Sequence, residues 1–202
     1  MKYKPKNDFW NLEINNSNII NHRSFSYGED RESTILYNFL FNLEFKTFIL
    51  NSKFTLGEHS IVSNNFINKN YSFLIKELNE SFLFKINKNK DLNANYIRSI
   101  KTPINSNHLK SDEISISYSQ KQERSKIILN SRFIHIQYDP SENSILNYNI
   151  MNGLNAGTNL ILEIKIMHKM KNNLDINITY SGRKSQNSIL KHTGNIGIQT
   201  IF

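Results

Sequence analysis

The sequence predicts an all-β chain, an antiparallel up-and-down meander of about ten strands that forms, or completes, a transmembrane β-barrel. Three observations point there. Apolar and polar residues alternate with a period of two over segments of roughly 9–13 residues. Short and long connections take turns between those segments. The chain closes on GNIGIQTIF, a last strand ending in the aromatic Phe202.

The alternation is visible strand by strand. In STILYNFLFNLEF, Ile35, Tyr37, Phe39, Phe41, Leu43 and Phe45 share one face, opposite Thr34, Asn38, Asn42 and Glu44, with Leu36 and Leu40 as exceptions. TFILNSKFTL sets Phe48, Leu50, Phe54 and Leu56 against Thr47, Asn51, Lys53 and Thr55. ESFLFKI and DEISISYSQ follow the same rule through Phe82, Phe84 and Ile86, and through Ile114, Ile116 and Tyr118. NLILEIKIMHKM and NLDINITYS are the most regular, with Leu160, Leu162, Ile164 and Ile166, then Leu174, Ile176, Ile178 and Tyr180. FWNLEIN, LNANYIRSI and KIILNSRFIHIQY are less regular, and the last has apolar residues on both faces, which predicts a bulge.

The turns sort into two kinds. Lys46-Thr47, Asn87 to Asp91, Lys121 to Ser125 and Lys171 to Asn173 are short; Gly57 to Lys69, Lys101 to Lys110, Asp139 to Thr158 and Ser181 to Ile189 are long. Gly28, Gly57, Pro103, Pro140, Gly153, Gly157 and Gly182 all fall in or beside the long kind. Short turns on one side and long loops on the other are the layout of an outer-membrane barrel. Soluble strands average about 5–6 residues, whereas a tilted membrane strand needs about 9–11. Tyr27, Tyr37, Tyr71, Tyr138 and Tyr180 are expected near the long-loop interface, and Trp10, Phe45, Phe48, Phe84, Tyr118 and Phe202 near the short-turn interface.

Composition excludes several classes. With 21% charged and 38% hydrophobic residues in 202, no run approaches the roughly 20 apolar residues of a spanning helix. Cysteine is absent, which removes disulfides, thiolate catalysis and cysteine–zinc sites. The net charge of +8 is not concentrated in any segment, so solvation is favoured over nucleic-acid binding. MKYKPKNDFWNLEINNSNII has lysines but no apolar stretch of a signal peptide, so an exported protein would carry its signal on a longer parent chain. Residues 1–202 read as one barrel domain, either complete or the C-terminal part of such a chain.

No catalytic, cofactor or metal site is expected. The six histidines are scattered without metal-ligand spacing, and G-x-S-x-G, P-loop and G-x-G-x-x-G patterns are missing. His135, Asp139 and Ser141 are the residues to inspect were the barrel a hydrolase. Glu44, Lys53, Lys85, Glu113, Glu163, Lys165 and Asp175 lie on the polar face. They would pair as a structural plug if ten strands close alone, or line a water-filled passage if further strands complete a wider barrel.

The last quarter carries a resemblance. NYNIMNGLNAGTNLILEIKI and LDINITYSGRKSQNSILKHTGNIGIQTIF are similar to the C-terminal region of large outer-membrane barrel proteins of Bacteroidetes-type bacteria, on Gly153, Leu154, Gly157 and Asn159, on Tyr180, Gly182, Arg183, Lys184 and Ser185, and on His192, Thr193, Gly194 and Phe202. The resemblance implies an outer-membrane location and no particular substrate. It also implies that Gly194, Ile196, Ile198 and Phe202 belong to a C-terminal signal read by the barrel assembly machinery, from which Thr200 departs. The expected surroundings are outer-membrane lipid and lipopolysaccharide, whose phosphates Arg183 and Lys184 could meet. Pore, translocation or structural roles follow; a water-soluble antiparallel sheet that binds a surface partner is the alternative.

Overall fold

Side chains that alternate and backbones that pair with both neighbours build one continuous sheet. The computed structural model describes residues 2–3, 9–25, 28–63, 70–103, 108–138, 151, 154–170, 174–186 and 188–200. These form an eleven-stranded sheet in strict sequence order. A two-residue β1 (Lys2–Tyr3) precedes ten long strands: β2 (Trp10–Phe25), β3 (Gly28–Glu44), β4 (Phe48–Ser63), β5 (Tyr71–Asn87), β6 (Lys90–Pro103), β7 (Leu109–Lys121), β8 (Ser125–Gln137), β9 (Gly157–Lys169), β10 (Leu174–Ser185) and β11 (Lys191–Thr200). Every pairing is antiparallel.

Register assigns the two faces. Directly paired residues share a side of the sheet, so Trp10, Leu43, Leu50, Phe82, Ala94, Ile116, Ser131 and Leu162 form one row across β2 to β9. The neighbouring row on the other side reads Asn11, Asn42, Asn51, Ser81, Asn95, Ser115 and Arg132. The first row begins at the opening residue of β2, beside the short turns. It continues through Gly182 to His192, at the long-connection end of β11. A perpendicular to the strands therefore climbs the full height of the sheet, which is the stagger that tilted barrel strands require.

Among the described residues no second layer covers the apolar face. Ile114, Ile116, Phe133, Leu160 and Ile196 are 55%, 52%, 48%, 44% and 72% exposed, a pattern that would be ruinous in water and is ordinary against acyl chains. Close to the short turns the aromatic contacts cluster, with Phe45 and Phe48 ring centroids 4.5 Å apart and Phe48 and Phe82 5.4 Å apart. The band is interrupted on β4 to β7 by a polar island. There Ser52 Oγ donates to Glu80 Oε1 at 2.7 Å, Tyr96 Oη donates to Asp112 Oδ1 at 2.7 Å, and Arg98 Nε lies 3.6 Å from Asp112 Oδ1.

The strands run further than alternation indicates. β4 passes through Gly57 to Ser63 and β10 through Gly182 to Ser185, so these glycines are strand residues rather than parts of long loops. The physical reason is that a strand continuing beyond the acyl layer meets water on both faces, and its outward residues need not be apolar. At Gly57 a Cβ would collide with the Ile35 carbonyl and the Leu36 side chain, so glycine permits the close approach of β3. β8 holds no bulge: its ladders to β7 and β9 are continuous, and the register shift lies instead between Lys85 and Asn87. Tyr71 and Tyr138 turn to the polar face, packing on a cluster around Phe73, and take no place in an outer aromatic belt. Tyr27 and Phe202 lie outside the described residues.

Because Ile116 and Ser117 are adjacent but opposite-facing, arginine at each separates the two environments. Ile116→Arg should cost about 2–4 kcal/mol in phospholipid vesicles and Ser117→Arg much less, measured by guanidinium unfolding followed with tryptophan fluorescence.

Candidate functional site

The polar face is not uniformly polar. Near the long-connection end, Phe73 on β5, Leu109 on β7, and Ile134 and Ile136 on β8 are buried with Met151, from the β8–β9 connection. Leu154 packs against them, and its amide donates to the Met151 carbonyl at 3.1 Å. Met151 and Leu154 thus lie over this face. This explains why FIHIQ carries apolar residues on both sides: Phe133 faces outward, and Ile134 and Ile136 lie beneath Met151. The irregularity in KIILNSRFIHIQY was the one sequence signal for this cluster.

Beneath it lies a cavity of about 470 Å³. Its walls take side chains from β5 (Glu77), β6 (Ser99, Lys101), β7 (Glu113), β8 (Arg132) and β10 (Arg183), with Ile161 from β9. Strands in a sheet stand about 4.8 Å apart, so six consecutive strands can line one cavity only where the sheet curls around it. The polar face is concave. Arg132 and Glu113 form a two-pronged ion pair at 2.7 Å (Nε to Oε1) and 2.9 Å (Nη2 to Oε2), a geometry that aligns both groups. The Lys101 ammonium sits 5.7 Å from the Phe73 ring centroid. Ser99 is 6% exposed, and its Oγ has no hydrogen-bond partner among the described residues. Of the polar-face charges expected from sequence, Glu113 lines this cavity; Lys85 lies 3.8 Å from Glu44 at the short-turn end. Lys101, Arg132, Glu77 and Ser99 were not singled out in the sequence, since nothing in their local spacing distinguishes them from solvated strand residues.

The C-terminal motif residues come together in two groups. At the top of the β9–β10 hairpin, Gly157 adopts φ of 93°, where a Cβ would run into the Gln186 side chain. Asn159 is completely buried; its Nδ2 donates to the carbonyls of Asn155 at 2.9 Å and Gly157 at 3.2 Å, and its Oδ1 accepts from Ser185 Oγ at 2.6 Å. The glycine–asparagine loop and the GRKS stretch are therefore two halves of one clasp. On the outer face Tyr180 Oη and His192 Nδ1 are 2.7 Å apart across Gly182, whose missing side chain leaves room for the tyrosine ring. Arg183 faces the cavity, while Lys184 is exposed on the opposite side. Gly194, Ile196 and Ile198 lie on the apolar face of β11, paired with Tyr180, Ile178 and Ile176. Gly153 lies outside the described residues, as do Asp139 and Ser141; His135 Nε2 is 3.3 Å from Gln137 Nε2 on an exposed strand end. Among the described residues no group of three or more His, Asp or Glu could hold a metal ion.

A solved structure shares this architecture. In-vitro folded OmpT, an outer membrane protein of Vibrio cholerae in its trimer form, superposes with a TM-score of 0.55 at 10% identity. The fold is that of an outer-membrane β-barrel. The superposition covers 95% of this chain and 63% of the V. cholerae chain, so the present chain spans less than two thirds of that protein's length. No family model and no curated protein matches the sequence.

Asn159→Ala leaves two loop carbonyls and the Ser185 hydroxyl without their partner inside the clasp. A loss of about 1–3 kcal/mol is expected, against a change near zero for the exposed Asn177→Ala, both read by urea unfolding in detergent micelles.

Proposed function

We propose that the chain is part of a bacterial outer-membrane protein that works as a pore or translocation conduit, without catalysis, in the cell outer membrane. The observation that carries this reading is the inversion of faces: the apolar face is bare, while the polar face is concave and holds a cavity. A conduit needs that arrangement, because water and solutes pass on the inside and lipid stays outside. The likeness to the V. cholerae outer membrane protein supports the fold on which the reading depends.

Further strands complete the barrel in this proposal. Among the described residues, β11 pairs only with β10, and β2 beyond Glu13 pairs only with β3. Unpaired backbone edges cannot persist in hydrocarbon. More than a third of the V. cholerae chain has no counterpart here, which supports completion by about six strands from a longer parent chain, an even number that keeps both ends on one side. Lysines and arginines at the long-loop end, Lys184 among them, then meet lipopolysaccharide phosphates. The resemblance to Bacteroidetes-type C-terminal barrel regions supports the proposal that β11 is the strand read by the assembly machinery.

Two experiments test this. The native sequence lacks cysteine, so single cysteines report cleanly. In cells, Ile116→Cys and Leu162→Cys should resist a membrane-impermeant maleimide, and Ser117→Cys and Glu163→Cys should react. Equal labelling of all four would sink the conduit. Replacing Ile196 and Ile198 together with aspartate should leave the protein in the periplasm at under a tenth of its outer-membrane level, as seen by fractionation; normal insertion would remove β11 from the assembly role.

A further inference from the structure

Resting on the conduit reading, one register row of the inner wall gives that conduit a solute class. The row runs Asn11, Asn42, Asn51, Ser81, Asn95 and Ser115 from β2 to β7, then reaches Arg132 and Ile161 at the wall of the cavity. Asn11 is the second residue of β2, beside the short turns, so the row climbs from that end of the sheet to the cavity. With strands about 4.8 Å apart, its first six rungs extend over about 24 Å. Every one of the six is an amide or a hydroxyl, and all six are partly exposed. Charge borders these rungs without entering them. Lys53 stands two residues from Asn51 on the side of the long connections, and Lys85, toward the short turns, lies 3.8 Å from Glu44. Where the row meets β8, the Arg132 guanidinium is held by both oxygens of Glu113.

The rungs are only partly spent on one another. Asn42 Nδ2 donates to Asn11 Oδ1 at 2.7 Å, and Ser81 Oγ donates to Asn93 Oδ1 at 3.1 Å. A side-chain amide carries two N–H donors and an oxygen with two lone pairs, so each of these bonds leaves most of the amide's capacity unused. On the fifth rung, Asn95 Oδ1 accepts nothing among the described residues. A wall of this kind returns to a solute the hydrogen bonds that it gives up with water. It returns no countercharge, and a charge stripped of water without a partner is costly.

We propose that this row is a track for uncharged, hydroxyl-rich solutes such as oligosaccharides, held rung by rung between the short-turn end and the cavity. A hydroxyl both donates and accepts, as an amide does, so successive hydroxyls match successive rungs. A polyether of the same mass offers acceptors alone. A sugar acid brings charges that none of the six rungs balances.

The test uses the full-length protein in lipid nanodiscs, with empty nanodiscs as the reference, titrated calorimetrically with maltotriose, trigalacturonate and a poly(ethylene glycol) of equal mass. Saturable maltotriose binding is expected, at least tenfold tighter than either of the other two. Asn42→Leu combined with Asn51→Leu, which removes two amides and no charge, should weaken maltotriose at least fivefold. Asn177→Leu, on the inner face of β10 and off the row, should leave it unchanged. Equal binding of the three probes, no saturable maltotriose heat, or full affinity in the double variant would overturn the proposal. Should the double variant fail to fold, unchanged affinity in Asn51→Ala overturns it instead. A protein that passes the cysteine labelling yet binds no maltotriose refutes the track and leaves the conduit standing.

Discussion

Hydrocarbon offers a peptide group nothing to bond, and that absence organises the molecule. Each amide and carbonyl placed in the acyl layer must find its partner on a neighbouring strand. Consecutive pairing then follows as the arrangement with the shortest connections. At the short-turn end the closures are made by the backbone itself: Phe45 N bonds Phe48 O at 2.8 Å and Gln122 N bonds Ser125 O at 2.7 Å. Neighbouring turns are tied as well, through Lys85 N to Thr47 O at 2.8 Å and Lys169 N to Arg124 O at 2.7 Å. With the backbone satisfied, side chains are free to differ between faces, and the period of two is the visible result.

That period made the membrane-embedded half of each strand legible. Leu160 to Ile166 and Leu174 to Tyr180 were placed on their correct faces because lipid demands apolar residues at every outward position. Legibility ended where the demand ended. In β2 the stretch NSNIINHRSF and in β4 the stretch GEHSIVS continue as paired strand, yet water on both faces imposes no pattern that a reader could find. Gly57 and Gly182 misled for the same reason, since a glycine in a polar stretch reads as a turn when it in fact answers a crowded neighbour.

The cavity was invisible for a different reason. Its residues are gathered by the curl of six strands and by Met151 and Leu154, which pack onto them, so Glu77 and Arg183 meet one space although more than a hundred positions separate them. Distances of that kind are set by register and curvature, neither of which is local. The clasp of Asn159 and Ser185 stands between the two cases: its parts were recognisable as a recurring pattern, but their contact across the hairpin appears only in the fold. A motif without chemistry is here explained by a chain that enters β9 at Gly157, with a φ that suits glycine, and fastens to β10 through Asn159 and Ser185.

The outward island of Ser52, Glu80, Tyr96, Arg98 and Asp112 shortens the greasy girdle on one flank. Along β3, Leu43 to Ile35 offer an unbroken apolar run, whereas on β6 that run stops at Tyr96. A bilayer of even thickness cannot match both flanks of an upright cylinder. The molecule must therefore lean, or gather around β5 to β7 a collar of thinner membrane, and either response makes the surrounding lipid asymmetric.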